Sequence, residues 1–452
     1  MESGGASWSA FRSGKTSRSG TRSAITARAA DPRTGPARRG KALALGLALT
    51  AAALAPRPAA AYSVLTHEAL IDAAWEQSLE PALRARFPGA THDDLRRARA
   101  YAYGGSLIQD LGYYPLGNKL FSDLAHYVRS GAFVEALVRE ARSLDEYAFA
   151  LGALSHYSGD DLGHPMATNR AVPKLFPKLA RYGREVAYAD GPTAHIRVEF
   201  GFDVVQVARG RYASRAYHDF IGFEVSRPVL ERAFAATYGL ELKDLFRDLD
   251  AALGSYRRAV STTIPQLTRV AWKEKREEIQ KLVPGATGEQ FVYTMSRGQY
   301  RKEWGQREHV PLLARVLGFM ARVLPKVGPL RAAVPKIPSP EAERLFLKSF
   351  DGALEDYRVL LREAGPGLDL DDPNLDLGRP GRAGDYRLAD EAYSRLLDKL
   401  ARRHFAGMGP ELRRDILAFY ADPEADVETR AKDPARWRRN RRDLERLRAW
   451  SP

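Results

Sequence analysis

The sequence predicts an all-α protein, a bundle of many helices with additional helices at its C-terminal end. After Tyr62 the apolar residues recur mostly at spacings of three and four, the repeat of a helix face. β-Branched runs are scarce, and Ala, Leu, Arg and Glu dominate, most of them strong helix formers. Ser143-Leu144-Asp145-Glu146 reads as a capping box, with Ser at the N-cap and Glu three residues on.

Taken in order, the chain opens with a segment that looks removable. Residues 1–41 are rich in Ser, Gly and Arg; an apolar run from Ala42 to Ala55 and the small-residue site Ala59-Ala60-Ala61 follow. A basic region, a short apolar stretch and such a site describe a secretory signal, and this run is too short to span a bilayer comfortably. Arg38-Arg39 is a partial twin-arginine signal, which a random basic pair explains equally well. The mature protein is therefore expected to start at Tyr62 and to be secreted or periplasmic. Residues 62–324 are read as one helical domain. Within it, Tyr147 to Leu154 is apolar on every side, which places that helix in the middle of a bundle. Pro165 is expected to close it. Pro325, Pro329, Pro335, Pro338 and Pro340 mark a linker over 325–340. Residues 341–452 read as further helices around a Gly/Pro/Asp-rich loop from Gly365 to Gly384.

Composition narrows the function classes. Hydrophobic residues make up 44% and charged residues 28% of the 452, an ordinary globular balance. With no Cys there is neither a disulfide nor a thiolate metal site, so any metal must sit on imidazole and carboxylate. Residues 1–61 hold ten Lys/Arg against two Asp/Glu, so +8 of the formal +14 leaves with that segment and +6 remains. A nucleic-acid partner inferred from charge alone loses much of its force.

The chemistry concentrates in one stretch. Five of nine histidines, His67, His126, His156, His164 and His195, fall among carboxylates at helical spacing. His156, Asp160 and His164 are each four residues apart and share one edge of the apolar helix. Two imidazoles and a carboxylate there suit zinc, with a satisfied core hydrogen-bond network as the equal alternative. His195 and Glu199 form another i, i+4 pair, which alone reads as an exposed salt-bridging face. Asp110, after Gly104-Gly105, and His126, beside Tyr127, are weak signals separately.

In order, these pieces resemble the zinc-dependent phospholipase C family, with the S1/P1 nucleases as a related branch. Ser155-His156-Tyr157-Ser158-Gly159-Asp160 is similar to its central motif, and His195-xxx-Glu199 to its closing pair. Tyr62 followed by His67, and Asp110 followed by His126, match its other spacings. The resemblance covers roughly residues 62–260 and implies an all-α phospholipase C/P1 nuclease-like bundle holding two to three zinc ions. It implies one ion on Asp110, His126, His156 and Asp160, and a second on His164, His195 and Glu199. A third would lie on the Tyr62 amine and carbonyl with His67 and Asp160, Asp160 being the bridge. Two departures stand out. Tyr62 replaces the family's usual Trp, and Asp160-xxx-His164 is shorter than the phospholipase C spacing, closer to glycosylphosphatidylinositol-specific phospholipase D relatives. Such a centre would hydrolyse phospholipid-type phosphodiesters with a zinc-activated hydroxide, Asp110 orienting or deprotonating the water. The alternatives are a nuclease and a non-catalytic lipid- or envelope-binding protein with a structural metal site.

The partners expected are a phospholipid or another phosphodiester as substrate, peripheral membrane contact, and nucleic acid only second; the chain is expected to be a monomer. Tyr101, Tyr103, Tyr113 and Tyr114 flank Asp110 and read as core packing before a choline cage. The run Asp369 to Asp376 is carboxylate-dense but lacks the Gly and terminal Glu of an EF-hand loop. Seven Arg between Arg436 and Arg448 read as a solvated helix end before a lipid contact. No chemistry is assigned after residue 260.

Overall fold

The computed structural model describes residues 63–291 and 334–450, apart from 213, 220, 426, 428, 429 and 431. The export segment, Tyr62 and the linker's first prolines lie outside these residues. Regular structure among the described residues is helical, as the apolar spacing predicts; one isolated antiparallel bridge joins Asn374 and Arg379. The first half comprises α1 (Val64–Ala74), α2 (Glu80–Arg86), α3 (His92–Gly105), α4 (Lys119–Tyr127), α5 (Ser130–Glu140), α6 (Leu144–Gly163) and α7 (Asn169–Leu175). Next come α8 (Pro192–Ala208), α9 (Arg227–Tyr238), α10 (Leu249–Arg258) and α11 (Ile264–Leu282). The C-terminal region supplies α12 (Pro340–Glu363), α13 (Arg387–Arg402), α14 (Pro410–Phe419) and α15 (Pro434–Ala449). No described helix is long and apolar enough to cross a membrane.

Helix α6 is the axis. Its residues from Tyr147 to Asp160 are buried on every side, so it must be surrounded, and α1, α3, α5 and α12 pack around it. Ser143 caps it by accepting from the Glu146 amide at 3.3 Å. The reciprocal half of the expected box shifts by one residue: Glu146 accepts from the Arg142 amide at 2.7 Å, while Arg232 holds its carboxylate at 2.8 Å. Glycines let α3 approach α6 to backbone contact. A Cβ on Gly105 would lie 2.0 Å from the Phe149 carbonyl oxygen, and one on Gly152 2.1 Å from that of Ala102.

Pro165 does not stop the chain's helical course. The α-helical pattern ends at Gly163, and a wide π turn over His164–Thr168 absorbs the proline before α7. On the opposite side α12 lies along α6: Tyr357 donates to the Leu151 carbonyl at 2.9 Å and Ser158 to that of Ala353 at 2.9 Å. The helices after residue 340 thus share the core of those before 291. Helix α15 buries Asn440, Leu444 and Leu447 against this body, and Arg446 pairs with Asp443 at 2.9 Å.

Candidate metal centre

Six separate pieces of chain bring the histidines and carboxylates together. Helix α1 carries His67, the tight turn Ile108–Tyr113 carries Asp110, and α4 carries His126. Helix α6 carries His156 and Asp160, the π turn carries His164, and α8 carries His195 and Glu199. None of these side chains is more than 3% exposed. That corrects the surface reading of His195 and Glu199: both are buried, as is every residue of α8 from Val198 to Ala208, so the pair is not a solvated face.

Two of the groups share Asp160. His156 Nε2 lies 3.2 Å from His126 Nε2 and 3.3 Å from Asp160 Oδ2. His126 Nε2 lies 3.4 Å from Asp160 Oδ2 and 3.5 Å from Asp110 Oδ1. The other Asp160 oxygen, Oδ1, faces His67 Nε2 at 3.4 Å, and the His67 ring stacks on His156 with centroids 4.3 Å apart. The third group joins His195 Nδ1 to Glu199 Oε1 at 3.5 Å, with His164 beside them, its ring centroid 5.9 Å from that of His195. His164 therefore stands apart from His156 and Asp160, although spacing puts all three on one helical edge. The π turn carries it toward α8. Tyr62 lies outside the described residues.

The rings are aimed by what lies behind them. His126 Nδ1 meets the Ser122 carbonyl at 2.8 Å, and His156 Nδ1 that of Ser106 at 2.9 Å. His195 Nε2 meets the Val186 carbonyl at 2.6 Å. A carbonyl only accepts, so in each ring the outer nitrogen is the donor and the inner one is left facing the group.

These donors fit zinc. At zinc–nitrogen bonds of about 2.0–2.1 Å, neighbouring donors in a tetrahedron stand about 3.4 Å apart. The spacings of 3.2–3.5 Å above have that value, and both Asp160 oxygens lack a hydrogen-bond partner despite their depth. Burying carboxylates without a cation or a full set of donors is costly. The charges bear this out. Burial raises the Asp110 and Glu199 carboxyls well above their ordinary range. Burial would raise Asp160 too, but the His156 charge and the three imidazoles around it hold it well below. Burial takes His156 down to about 4 and, with the His164 charge, His195 to about 3.

Two residues that sequence reasoning did not place in the site lie against it. Asp203, one turn beyond Glu199 on α8, accepts from the Leu65 amide at 3.1 Å and the Thr66 hydroxyl at 2.7 Å. It caps α1, which has no side-chain cap of its own, and so positions His67. Its spacing from Glu199 was visible; its partner 138 residues away was not. Asp376 is fully buried, and its Oδ1 comes within 3.0 Å of His164 Nε2. It breaks up the carboxylate run of 369–376, whose Asp372 instead caps α5 by accepting from the Ala132 amide at 2.9 Å. It brings a residue from beyond 260, where the sequence reading assigned no chemistry, against His164. Tyr103, Tyr113 and Tyr114 are buried core residues, Tyr114 packing edge-on against Tyr256, and they form no open cage.

The family model described as zinc-dependent phospholipase C matches residues 66–248. No curated protein and no solved structure matches the chain. The matched segment runs from α1 to the cap of α10 and contains His67, Asp110, His126, His156, Asp160, His164, His195 and Glu199. Over residues 66–248, this chain is similar to the zinc-dependent phospholipase C family.

Proposed function

We propose that the protein is a zinc hydrolase of phospholipid-type phosphodiesters, with its metals on Asp110, His126, His156 and Asp160, on His67 and Asp160, and on His164, His195 and Glu199. The observation that carries this is the division of Asp160 between two sets of imidazoles at the donor spacing of zinc. When bound, the ions supply a water that ionises near neutral pH and positive charge for the non-bridging phosphate oxygens.

The chain's own residues do the rest. Asp160, with one oxygen toward His67 and the other toward His126 and His156, would serve both metal positions. Asp110, on a tight turn beside His126, is suited to orienting the attacking water and taking its proton. The backbone carbonyls behind His126, His156 and His195 keep each ring in the tautomer that leaves the inner nitrogen free. A secreted or periplasmic location, cleavage before Tyr62 with its amine completing the His67 position, and peripheral contact with a lipid surface go with this reading.

The test is purified mature protein, loaded with zinc and offered phosphatidylcholine, single-stranded DNA and a generic phosphodiester. The reading predicts lipid hydrolysis, lost in Asp160→Ala, and the product, phosphorylated headgroup or phosphatidate, identifies the ester bond cut. Cleavage of DNA with lipid untouched would make the chain a nuclease on this scaffold. Zinc binding with no hydrolysis would leave the metal structural.

A further inference from the structure

Asp376 comes from outside the matched segment, yet it is fully buried against His164. We propose that it is a fourth protein ligand of the metal position formed by His164, His195 and Glu199, so that the C-terminal region completes the metal centre. This rests on the zinc reading above and goes beyond the ligand set that the resemblance implies.

The two carboxylate oxygens are used differently. Oδ2 accepts from Tyr127 at 3.0 Å and from the Tyr386 hydroxyl. Oδ1 has no hydrogen-bond partner, though it is buried. It lies 3.0 Å from His164 Nε2, which also lacks one: the two atoms are close without the angle of a hydrogen bond. A donor pair at that distance without the geometry of a hydrogen bond is what two ligands of one ion present. With Oδ2 held by two phenols, the carboxylate is set to bind through Oδ1 alone, in the way ligating carboxylates are commonly anchored.

The loop is built to hold that side chain. The Leu375 amide donates to the His126 carbonyl at 3.0 Å, which ties the loop to α4. The Asn169 side-chain amide donates to the Asp376 carbonyl at 2.8 Å, which ties it to α7. Gly378 adopts a positive φ of 64° and lies against the π turn, where a Cβ would come within 2.7 Å of Pro165 Cγ. The turn that presents His164 and the loop that presents Asp376 therefore pack on each other, and only glycine fits at the contact.

The experiment counts tightly bound zinc per chain, by elemental analysis, in the wild type, Asp376→Ala and Asp376→Asn, with circular dichroism to show that each is folded. Asp376→Asn is isosteric and leaves the loop's backbone hydrogen bonds in place. The expected result is one zinc fewer in both variants, with the ions on Asp160 kept. Folded variants with the wild-type count and the wild-type rate of zinc release to a chelator would overturn the proposal. Should neither variant fold, a zinc-edge anomalous map of wild-type crystals decides. Asp376 Oδ1 at about 2.0–2.2 Å from the ion beside His164 supports the proposal, and an ion there without that contact overturns it. A wild type that holds no zinc at all would instead remove the functional reading itself.

Discussion

At His126, burial and charge pull in opposite directions. Burial would lower its pKa, yet the close contact with the Asp160 carboxylate and the charges of Asp110, Asp160 and Asp376 push it up to about 9. In the metal-free chain this imidazole therefore holds its proton near neutrality, whereas a metal ligand must give it up. Zinc has to displace that proton, so apparent zinc affinity should rise with pH until about 9 and flatten above it. His156, at about 4, and His195, at about 3, are already neutral there and add no slope. Competition titrations against a chelator of known affinity, run from neutral to alkaline pH, check this; an affinity that does not change over that range would contradict it. The i, i+4 pairs were legible in the sequence because helical spacing alone places their side chains on one face. Asp376 was not, because nothing local distinguishes it from its neighbours Asp371 and Asp372. Its role depends on a loop that closes onto His126 and Pro165 from a distant part of the sequence.

At the scale of elements, the packing of α3 on α6 decides where His156 points. Ser106, which ends α3, supplies the carbonyl that His156 Nδ1 meets at 2.9 Å. The approach depends on Gly105 and Gly152, which lie in backbone contact with the facing helix. Gly152→Ala would set a methyl 2.1 Å from the Ala102 carbonyl oxygen, and neither backbone can yield without moving its helix. The expected cost is about 2–3 kcal/mol of stability, read as a lower denaturation midpoint, together with weaker zinc binding as Ser106 withdraws. An unchanged midpoint would mean that α3 and α6 are less tightly fitted than this. The apolar run from Tyr147 to Leu154 announced a central helix, and the capping residue Ser143 marked where it starts. The α-helix ends at Gly163, two residues before Pro165, but the chain goes on through a π turn that local rules do not anticipate.

For the whole molecule, the matched segment is only part of the folding unit. Tyr147 donates to the Ala364 carbonyl at 3.0 Å, Tyr157 to that of Asp371 at 3.0 Å, and Phe202 stacks on Phe346 with centroids 4.6 Å apart. A chain that stops at residue 291 would expose these faces of α6 and α8 to water and lose Asp376. We expect such a fragment to show no cooperative melting transition and to bind apolar dyes, since much of its apolar surface would have no cover. A cooperative melt with wild-type zinc content would contradict this.

The central claim is that the buried imidazoles and carboxylates hold zinc, with Asp160 shared between two ions. The measurement that tests it most directly is the zinc content of purified, mildly treated and zinc-repleted protein, compared with Asp160→Ala. The account predicts two to three ions per chain in the wild type and a loss of more than one in the variant, because one carboxylate serves two positions. Wild-type protein that remains free of zinc after repletion would contradict it.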